Sequence, residues 1–375
     1  MTIVHWLLAN WVGLLVVILS FGFIIFIHEL GHFIMAKRVG VKVHEFALGF
    51  GPCLFSRKRG ETEYALRLFP VGGYVRMEGE DTPCDNPEDT GNFQNKTVWE
   101  RVKIVASGPL MNYITALFIF LTVGLVYGVG EIYLKPKVGK ILEGSPAQKI
   151  GLEPGDYIVA INGQKVKDAY EMIDTIHKNP EKEISIEIER GEGPSKMTFT
   201  RTVTTILMPG TKEKIGIIGF SPDTKAIDMR FERKPFGTVI TDSVDQMARF
   251  TVAPFYAFYL IFKGKMKAKE VTEGSAGPVG IGQMFFEMYR KGFSFLLYFL
   301  GMINVLIGCF NLIPFPALDG SRVLILIISG IRNKPFNQEK EGYVHLVGFI
   351  ILIMVVLFFT YNDIIRIIQG VSFFK

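Results

Sequence analysis

The sequence predicts a polytopic α-helical membrane protein with about four transmembrane helices, a membrane-associated β-hairpin and an inserted α+β domain. Of the 375 residues, 49% are hydrophobic, and many form long uninterrupted runs. Runs at about 6–27, 104–128, 293–314 and 343–361 each approach the length that crosses a bilayer. Residues 131–220 are instead charged and rich in glycine and β-branched residues, which is typical of an independent domain outside the bilayer.

The composition excludes several other classes. The net charge of +5 is small for this length, and no basic block suits nucleic acid. Three cysteines, Cys53, Cys84 and Cys309, are too few and too scattered for a disulfide framework or a cysteine-based zinc site. A cleaved signal peptide fits residues 1–27 poorly, because no Lys or Arg precedes the first run and no small-residue cleavage site follows it.

The chain divides into four predicted parts. Residues 1–130 contain the first two helices and, between them, a β-hairpin loop, and residues 131–220 form the inserted domain. Residues 221–285 form a linker with an amphipathic or bracing helix, and residues 286–375 contain the last two helices. Within the linker, the apolar stretch Met247–Phe262 is compatible with a short span, an interfacial helix or a brace.

The hairpin is predicted from alternation around a turn. Pro70 to Gly73 form a turn signal, and the flanking stretches 63–69 and 74–77 alternate as strands do. We therefore expect these two stretches to pair with each other.

The distribution of basic residues predicts the orientation. Eleven Lys and Arg residues lie between the first two runs, whereas the first five residues of the chain contain none. The positive-inside rule therefore places the hairpin loop inside, and the N-terminus and the inserted domain outside. Only if Met247–Phe262 does not cross the membrane does Asp319 emerge on the same side as His28, so four spans are favoured.

The chemistry is carried first by the stretch His28-Glu29-Leu30-Gly31-His32, which closes the first apolar run. Histidines four residues apart lie on one face of a helix, and the Glu between them is placed to act on a metal-bound water. A lone histidine on an apolar face is usually a satisfied core residue. Two histidines and a Glu beside hydrocarbon are different, because unpaired polar groups there are costly and a divalent cation is a natural partner.

A second element follows the third apolar run. Pro314 and Pro316 break the helix there, and Asp319 comes three residues later, before Gly320. Taken alone, Asp319 fits an ordinary turn residue at a helix end. With the two histidines it would complete two imidazoles and one carboxylate, the ligand set of a catalytic Zn²⁺ that keeps an open position for water.

These motifs together resemble the site-2 protease family of intramembrane zinc metalloproteases, and within it the bacterial regulator of sigma-E protease group in a form with one PDZ domain. The inserted domain resembles a bacterial PDZ domain through Gly144–Ala147 and Gly151–Gly163. Further matches to the family are Gly49–Pro52, Phe69–Val75, Gly108–Asn112 and Asn311–Gly320.

The resemblance implies roles for individual residues. His28, His32 and Asp319 would ligate Zn²⁺, and Glu29 would activate the water. Positioning of the substrate or its oxyanion would fall to residues of three segments, namely Asn112, Asn311, Gly72, Gly73 and Tyr74. The hairpin would pair with a locally unwound substrate by strand addition, or would merely pack on the inner face. His44 and His345 are interpreted as ordinary polar residues.

The resemblance also implies partners and a location. Expected substrates are single-pass membrane proteins, such as anti-sigma factors trimmed outside or remnant signal peptides, in a bacterial cytoplasmic membrane with the active site near the cytosolic side. The PDZ-like domain would filter substrates by size or bind an exposed end. Two alternatives remain: a PDZ scaffold without activity, for which Glu29→Gln would be harmless, and a metal transporter, which usually shows repeated halves not found here.

Overall fold

A computed structural model describes residues 3–80, 86, 88–191, 196–208, 214–223, 226–264, 275–332, 334 and 338–369. Its contacts form two compact units. One unit combines the chain up to Val129 with the chain from Arg233, and the other is Gly130–Glu232. The helices, in chain order, are α1 Ile3–Val39, α2 Val98–Val126, α3 Pro146–Lys149, α4 Ala169–His177, α5 Phe236–Phe262, α6 Pro278–Lys291, α7 Phe293–Asn311, α8 Asp319–Arg332 and α9 Gln338–Ile368.

Four of the described helices are long and apolar enough to cross a membrane: Trp11–Val39, Val98–Val126, Phe293–Asn311 and Glu341–Ile368. They correspond to α1, α2, α7 and α9, so the prediction of about four spans is confirmed. Helix α1 continues past residue 27 to Val39, because residues 28–39 pack against α2 and the hairpin and so gain tertiary support.

The apolar stretch Met247–Phe262 forms the second half of α5, which does not meet the same criteria for a span. This helix contacts α2 and α7 instead. Phe250 packs on Phe120 and Tyr298, with ring centroids 6.0 and 6.2 Å apart. The Tyr113 and Thr251 hydroxyls lie 3.1 Å apart. These contacts show that the stretch packs on α2 and α7 of the same unit.

Helix α6 contacts both α1, the first helix of this unit, and α9, its last helix. On one side, Phe285 packs edge-on against Phe21 of α1, with centroids 5.5 Å apart. On the other, the buried carboxylate of Asp363 on α9 accepts hydrogen bonds from the backbone N–H groups of Gly277 and Gly280, at 3.2 and 2.7 Å. A carboxylate at a helix N-terminus satisfies donors that the helix itself leaves unpaired.

The hairpin consists of two long antiparallel strands, β1 Val43–Arg59 and β2 Thr62–Met77. The predicted pairing of 63–69 with 74–77 is wrong. Both stretches belong to β2, and they lie on opposite sides of β1: Phe46 pairs with Val75 and also with Tyr64. The chain turns back at Gly60-Glu61, and positive φ angles at glycines such as Gly49 (+91°) and Gly72 (+119°) bend the long strands into this arrangement.

The described residues of the second unit form ten short strands: β3 Val129–Leu134, β4 Val138–Ile141, β5 Tyr157–Ile161, β6 Gln164–Lys165, β7 Glu183–Arg190, β8 Met197–Thr204, β9 Ile206–Leu207, β10 Gly216–Ile217, β11 Phe220–Pro222 and β12 Ile227–Glu232. Four of them form a sheet in the order β6-β5-β7-β8, and β4 pairs with β11, β3 with β12 and β9 with β10. The unit reaches Glu232 because β12 returns to β3.

The core of this unit consists of the inward-facing isoleucines of β5 and β7 against Met172 and Ile176 of α4. Asn162 and Gly163 form the tight turn between β5 and β6, both with positive φ, as the Asn-Gly pair predicts. Asp156, 1% exposed, receives two hydrogen bonds from Arg190 at 2.7 and 2.8 Å. This pairing raises the pKa of Arg190 further above its ordinary value. The polytopic helical fold with an inserted α+β domain is thus confirmed.

Candidate metal centre

The site begins where α1 and α2 approach within backbone contact. A Cβ added at Gly31 would lie 2.2 Å from the carbonyl oxygen of Ser107, and one added at Gly108 would lie 2.3 Å from His32 Nε2. Side chains of ordinary size at these two positions would push the helices apart. The glycine inside the His-Glu-Leu-Gly-His stretch therefore has a packing role that its neighbours cannot take.

Contact with α2 also orients one of the two histidines. His32 is buried, and its Nδ1 donates a hydrogen bond to the backbone carbonyl of Ile104, 2.9 Å away. In the neutral imidazole this leaves the lone pair of Nε2 free and directed toward His28. In metal sites, a hydrogen bond from the ring nitrogen that does not bind the metal usually fixes the tautomer of the histidine.

Asp319 is the first residue of α8 and is placed by the loop before it. Ala317 has a positive φ of +79°, and its backbone N–H donates to His345 Nδ1 of α9 at 3.1 Å. A Cβ at Gly320 would lie 2.3 Å from the Leu312 carbonyl oxygen, so the loop folds back on the start of the helix. His345 thus holds this loop, while His44 pairs with Glu78, Nε2 to Oε2, at 2.6 Å.

The three predicted ligands come together. His28 Nε2 lies 3.2 Å from His32 Nε2, and Asp319 Oδ2 lies 3.1 and 3.5 Å from the two nitrogens. They are also the one His/Cys/Asp/Glu group in the described residues with the spacing of a metal site. With Zn–N and Zn–O bonds of about 2.0–2.1 Å, two ligands of a tetrahedral zinc stand about 3.3 Å apart. The measured triangle therefore has the size that Zn²⁺ requires.

The chemical nature of the three ligand atoms, like their spacing, fits a bound cation. Asp319 Oδ2 is buried, and no group among the described residues donates a hydrogen bond to it. Three atoms that present lone pairs to one point in a largely buried site repel each other unless a cation lies between them. The residues present therefore fit Zn²⁺, with one coordination position left over.

Glu29 lies on α1 beside this triangle and under the end of the hairpin. A Cβ at Gly73 would lie 3.1 Å from Glu29 Cγ and 3.0 Å from the carbonyl oxygen of Ala47. At Gly72, φ is +119°, and a Cβ would overlap the ring of Phe50 at 1.9 Å. Gly72 is thus required by its backbone conformation and by Phe50, and a larger residue at Gly73 would crowd Glu29 and the Ala47 carbonyl.

The end of β2 is an edge of the sheet. In the described part of the hairpin, residues 73–76 have ladder partners on β1 alone. Tyr74 does not use its hydroxyl at the metal centre, since it donates to Glu45 Oε1 at 2.7 Å. Its ring stacks on Phe50, with centroids 6.3 Å apart. The structure therefore brings Gly72 and Gly73 to the site, and Tyr74 supports them.

The two asparagines predicted to position the substrate, Asn112 and Asn311, differ in their hydrogen bonding. Asn112 lies one turn beyond Gly108 on α2 and is 0% exposed, and neither of its amide atoms has a hydrogen-bond partner among the residues that the structure describes. Asn311 ends α7, and its Nδ2 donates to the Ile307 carbonyl at 3.1 Å. Asn304, also on α7 and 0% exposed, was missed by the sequence reasoning, and its Oδ1 has no hydrogen-bond partner in the described part of the chain. A polar residue inside an apolar span was the signal for it.

The sequence reasoning also missed two groups that help to build the metal centre. One is the carbonyl of Ile104, since no sequence pattern marks a backbone acceptor. The other is the ion pair between Glu80, just after β2, and Arg322, one turn after Asp319 on α8. It connects the strand that passes Glu29 to the helix that carries the third ligand.

A membrane-length helix that carries two histidines and a Glu, with an Asp from a neighbouring short helix beside them, defines the class of membrane-embedded metalloproteases. Comparison with known proteins agrees. The sequence pattern of peptidase family M50 matches residues 16–355. A Clostridium acetobutylicum protein is 36% identical over 357 residues, spanning 94% of this chain and 97% of that protein. The regulator of sigma-W protease RasP of Bacillus subtilis is 31% identical over 428 residues, spanning 93% of this chain and 97% of that protein.

Among solved structures, the PDZ domain of an SdrC-like protein from Listeria monocytogenes is similar to 24% of this chain and 88% of that structure, at 23% identity and a TM-score of 0.21. The family match is far more extensive. The chain belongs to peptidase family M50, the site-2 proteases, and it is a membrane zinc metalloprotease. The predicted family, enzyme class and cofactor are confirmed.

Proposed function

We propose that this metalloprotease cleaves the transmembrane segments of single-pass membrane proteins, with His28, His32 and Asp319 as zinc ligands and Glu29 as the general base. The observation that carries the proposal is the triangle of ligand atoms, 3.1 to 3.5 Å on each side. Glu29 lies beside it, on the membrane-length helix α1 that also carries the two histidines. No other arrangement in the described residues offers a hydrolytic centre of this kind.

Each group of the site has a distinct role in hydrolysis. A zinc ion bound by the three ligands would lower the pKa of a water and polarise the scissile carbonyl. Glu29 accepts the proton from the attacking water and later returns it to the leaving amine. His32 is kept in the required tautomer by the Ile104 carbonyl. Asn112, buried with both amide atoms unpaired, offers a donor and an acceptor for the substrate backbone.

A transmembrane substrate must unwind before it is cut, because an intact helix uses its own carbonyls as hydrogen-bond acceptors. The edge of β2 at residues 73–76 supports strand addition as the way to hold the unwound stretch. It has ladder partners on one side only, and Gly73 allows close approach to Glu29. Substrates with helix-weakening residues should therefore be cut fastest, and leucine-rich replacements should slow cleavage in a gel assay.

The proposal includes an orientation. The excess of Lys and Arg between α1 and α2 supports a bacterial inner-membrane protein with the metal centre near the cytosolic side and the PDZ-like unit outside. In a variant without native cysteines, Lys149→Cys should react with an impermeant thiol reagent in spheroplasts, and Lys103→Cys only after lysis. The reverse pattern would refute this orientation. The name of the Bacillus relative supports a role in regulated proteolysis, with anti-sigma factors as candidate substrates.

The decisive experiment pairs metal analysis with cleavage of a model transmembrane substrate. Glu29→Gln should abolish cleavage and retain zinc, since Glu29 acts on the water and is not a ligand. Glu143→Gln, an exposed carboxylate of the PDZ-like unit, is the matched control and should cleave like the wild type. Cleavage by Glu29→Gln at the wild-type rate would overturn the assignment. Normal function of Glu29→Gln in cells would favour a scaffold instead.

A further inference from the structure

The half of β1 that lies farthest from the metal centre has an unusual distribution of side chains. This outer strand, residues 53–59, pairs with β2 on one side. Its first part exposes Leu54 (61%) and Phe55 (65%). Its last part carries Arg57, Lys58 and Arg59, all exposed. Within the part of the chain that the structure describes, none of these three cations takes part in an ion pair or a side-chain hydrogen bond.

The contacts of the hairpin with α1 give the depth of each part. At the charged end, Glu61 pairs with Lys37 in the last turn of α1, Oε1 to Nζ, at 2.5 Å. Phe46, in the first half of β1, packs on Phe33 and Phe26 with centroids 5.1 and 5.8 Å away. Arg57 pairs with Tyr64 of β2, as Phe46 does, whereas Phe55 pairs with Leu66, two residues farther from Glu61. The charged end therefore lies toward the C-terminal end of α1, and Phe55 lies about 7 Å deeper than Arg57.

We propose that Arg57, Lys58 and Arg59 bind the phosphate groups of anionic phospholipids in the leaflet at the C-terminal end of α1, while Leu54 and Phe55 lie among the acyl chains. Long cationic side chains extend to the headgroup region while nearby apolar residues are buried in lipid. Each cation close to an anionic surface adds to the attraction, and three together correspond to a preference on the order of a hundredfold over a zwitterionic surface.

Lipid bound at the outer strand would affect the sheet that borders the active site. The outer strand and residues 73–76 are at opposite edges of one sheet, and Gly73 borders Glu29. Lipid held at the outer strand would therefore help to set where the sheet lies relative to α1. The inference concerns lipid binding and does not depend on which substrate is cleaved.

The test uses the full chain in nanodiscs of phosphatidylcholine, with or without phosphatidylglycerol. Cys53 begins the outer strand and is exposed, so it can carry an environment-sensitive fluorophore once Cys84 and Cys309 are replaced. The readout is quenching of this fluorophore by acrylamide, a neutral quencher that the lipid charge does not repel. In the unsubstituted strand, phosphatidylglycerol should reduce quenching, and raised salt should weaken the effect.

The variant R57Q/K58Q/R59Q should show the same quenching in both lipids. The charge-conserving variant R57K/R59K should keep the response, because the proposal requires charge and not a fixed geometry. The matched control K149Q/K165Q/K167Q removes three exposed cations from the PDZ-like unit and should also keep it. A response to inorganic phosphate in phosphatidylcholine alone would indicate an anion site without a lipid requirement. That result, equal quenching of the unsubstituted strand in both lipids, or an unchanged response in R57Q/K58Q/R59Q would overturn the proposal.

Discussion

Replacing Gly108 by alanine should disable the metal centre by moving one ligand. The new Cβ would lie 2.3 Å from His32 Nε2 and 2.6 Å from Cε1, against an ordinary contact of about 3.5 Å. The imidazole must then retreat by about 1 Å, and its bond to the Ile104 carbonyl opposes that movement. Metal–ligand distances tolerate only about 0.2 Å. Because loss of a single supporting hydrogen bond already costs about 10- to 100-fold in metal affinity, a displaced ligand should cost more than about 100-fold.

The assay is a zinc titration of the purified protein against a chelator of known affinity, with cleavage of a transmembrane substrate measured in parallel. Gly342→Ala is the matched control, because it makes the same change within a helix where nothing lies within 4 Å of the new Cβ. It should bind zinc and cleave normally. Wild-type zinc affinity in Gly108→Ala would refute the reasoning, since the ring would then have moved without loss of coordination.

Three other substitutions test the surrounding structure. Glu80→Gln should lower kcat/KM by up to about fivefold, as a partly exposed ion pair allows, and the exchange Glu80→Arg with Arg322→Glu should restore part of it; no recovery would mean that the pair does not position the strand. Asp156→Asn should destabilise the PDZ-like unit by about 2 kcal/mol, because it removes the buried charged acceptor of two Arg190 hydrogen bonds, whereas Asp174→Asn, in an exposed pair, should leave the unfolding temperature almost unchanged. Asp363→Ala should cost about 1 kcal/mol of stability through the lost cap of α6, and an unchanged melting temperature in detergent would contradict that role.

The candidate ligands could be predicted because each depends on information close in sequence or on a simple count of charges. Spacing of four residues places His28 and His32 on one helix face whatever surrounds them. The placement of Asp319 beside them required only the number of spans and the distribution of Lys and Arg. The Asn-Gly turn of the PDZ-like unit is equally local, because two consecutive positive φ angles favour that residue pair.

The hairpin shows where such reasoning ends. Alternation in 63–69 and 74–77 correctly indicated strands, but alternation does not say which strand is the partner. The partner of both is residues 45–48, and the choice depends on the bends at Gly49 and Gly72 and on packing against α1. The end of α1 at Val39 depends on packing in the same way, since residues 28–39 lie beyond the apolar run and contact α2 and the hairpin.

By itself, the sequence determined the class of fold, the four spans, the inserted domain and the residue types of a zinc site. These follow from hydropathy, helical periodicity and charge, which act over a few residues or over whole segments. Only the tertiary structure decided how closely the ligands meet: Gly31 and Gly108 allow backbone contact between α1 and α2, and the Ile104 carbonyl, 72 residues from His32 in the chain, orients its ring. Such contacts depend on the packing of distant elements, because a missing Cβ or a backbone oxygen acquires its role only from what lies against it.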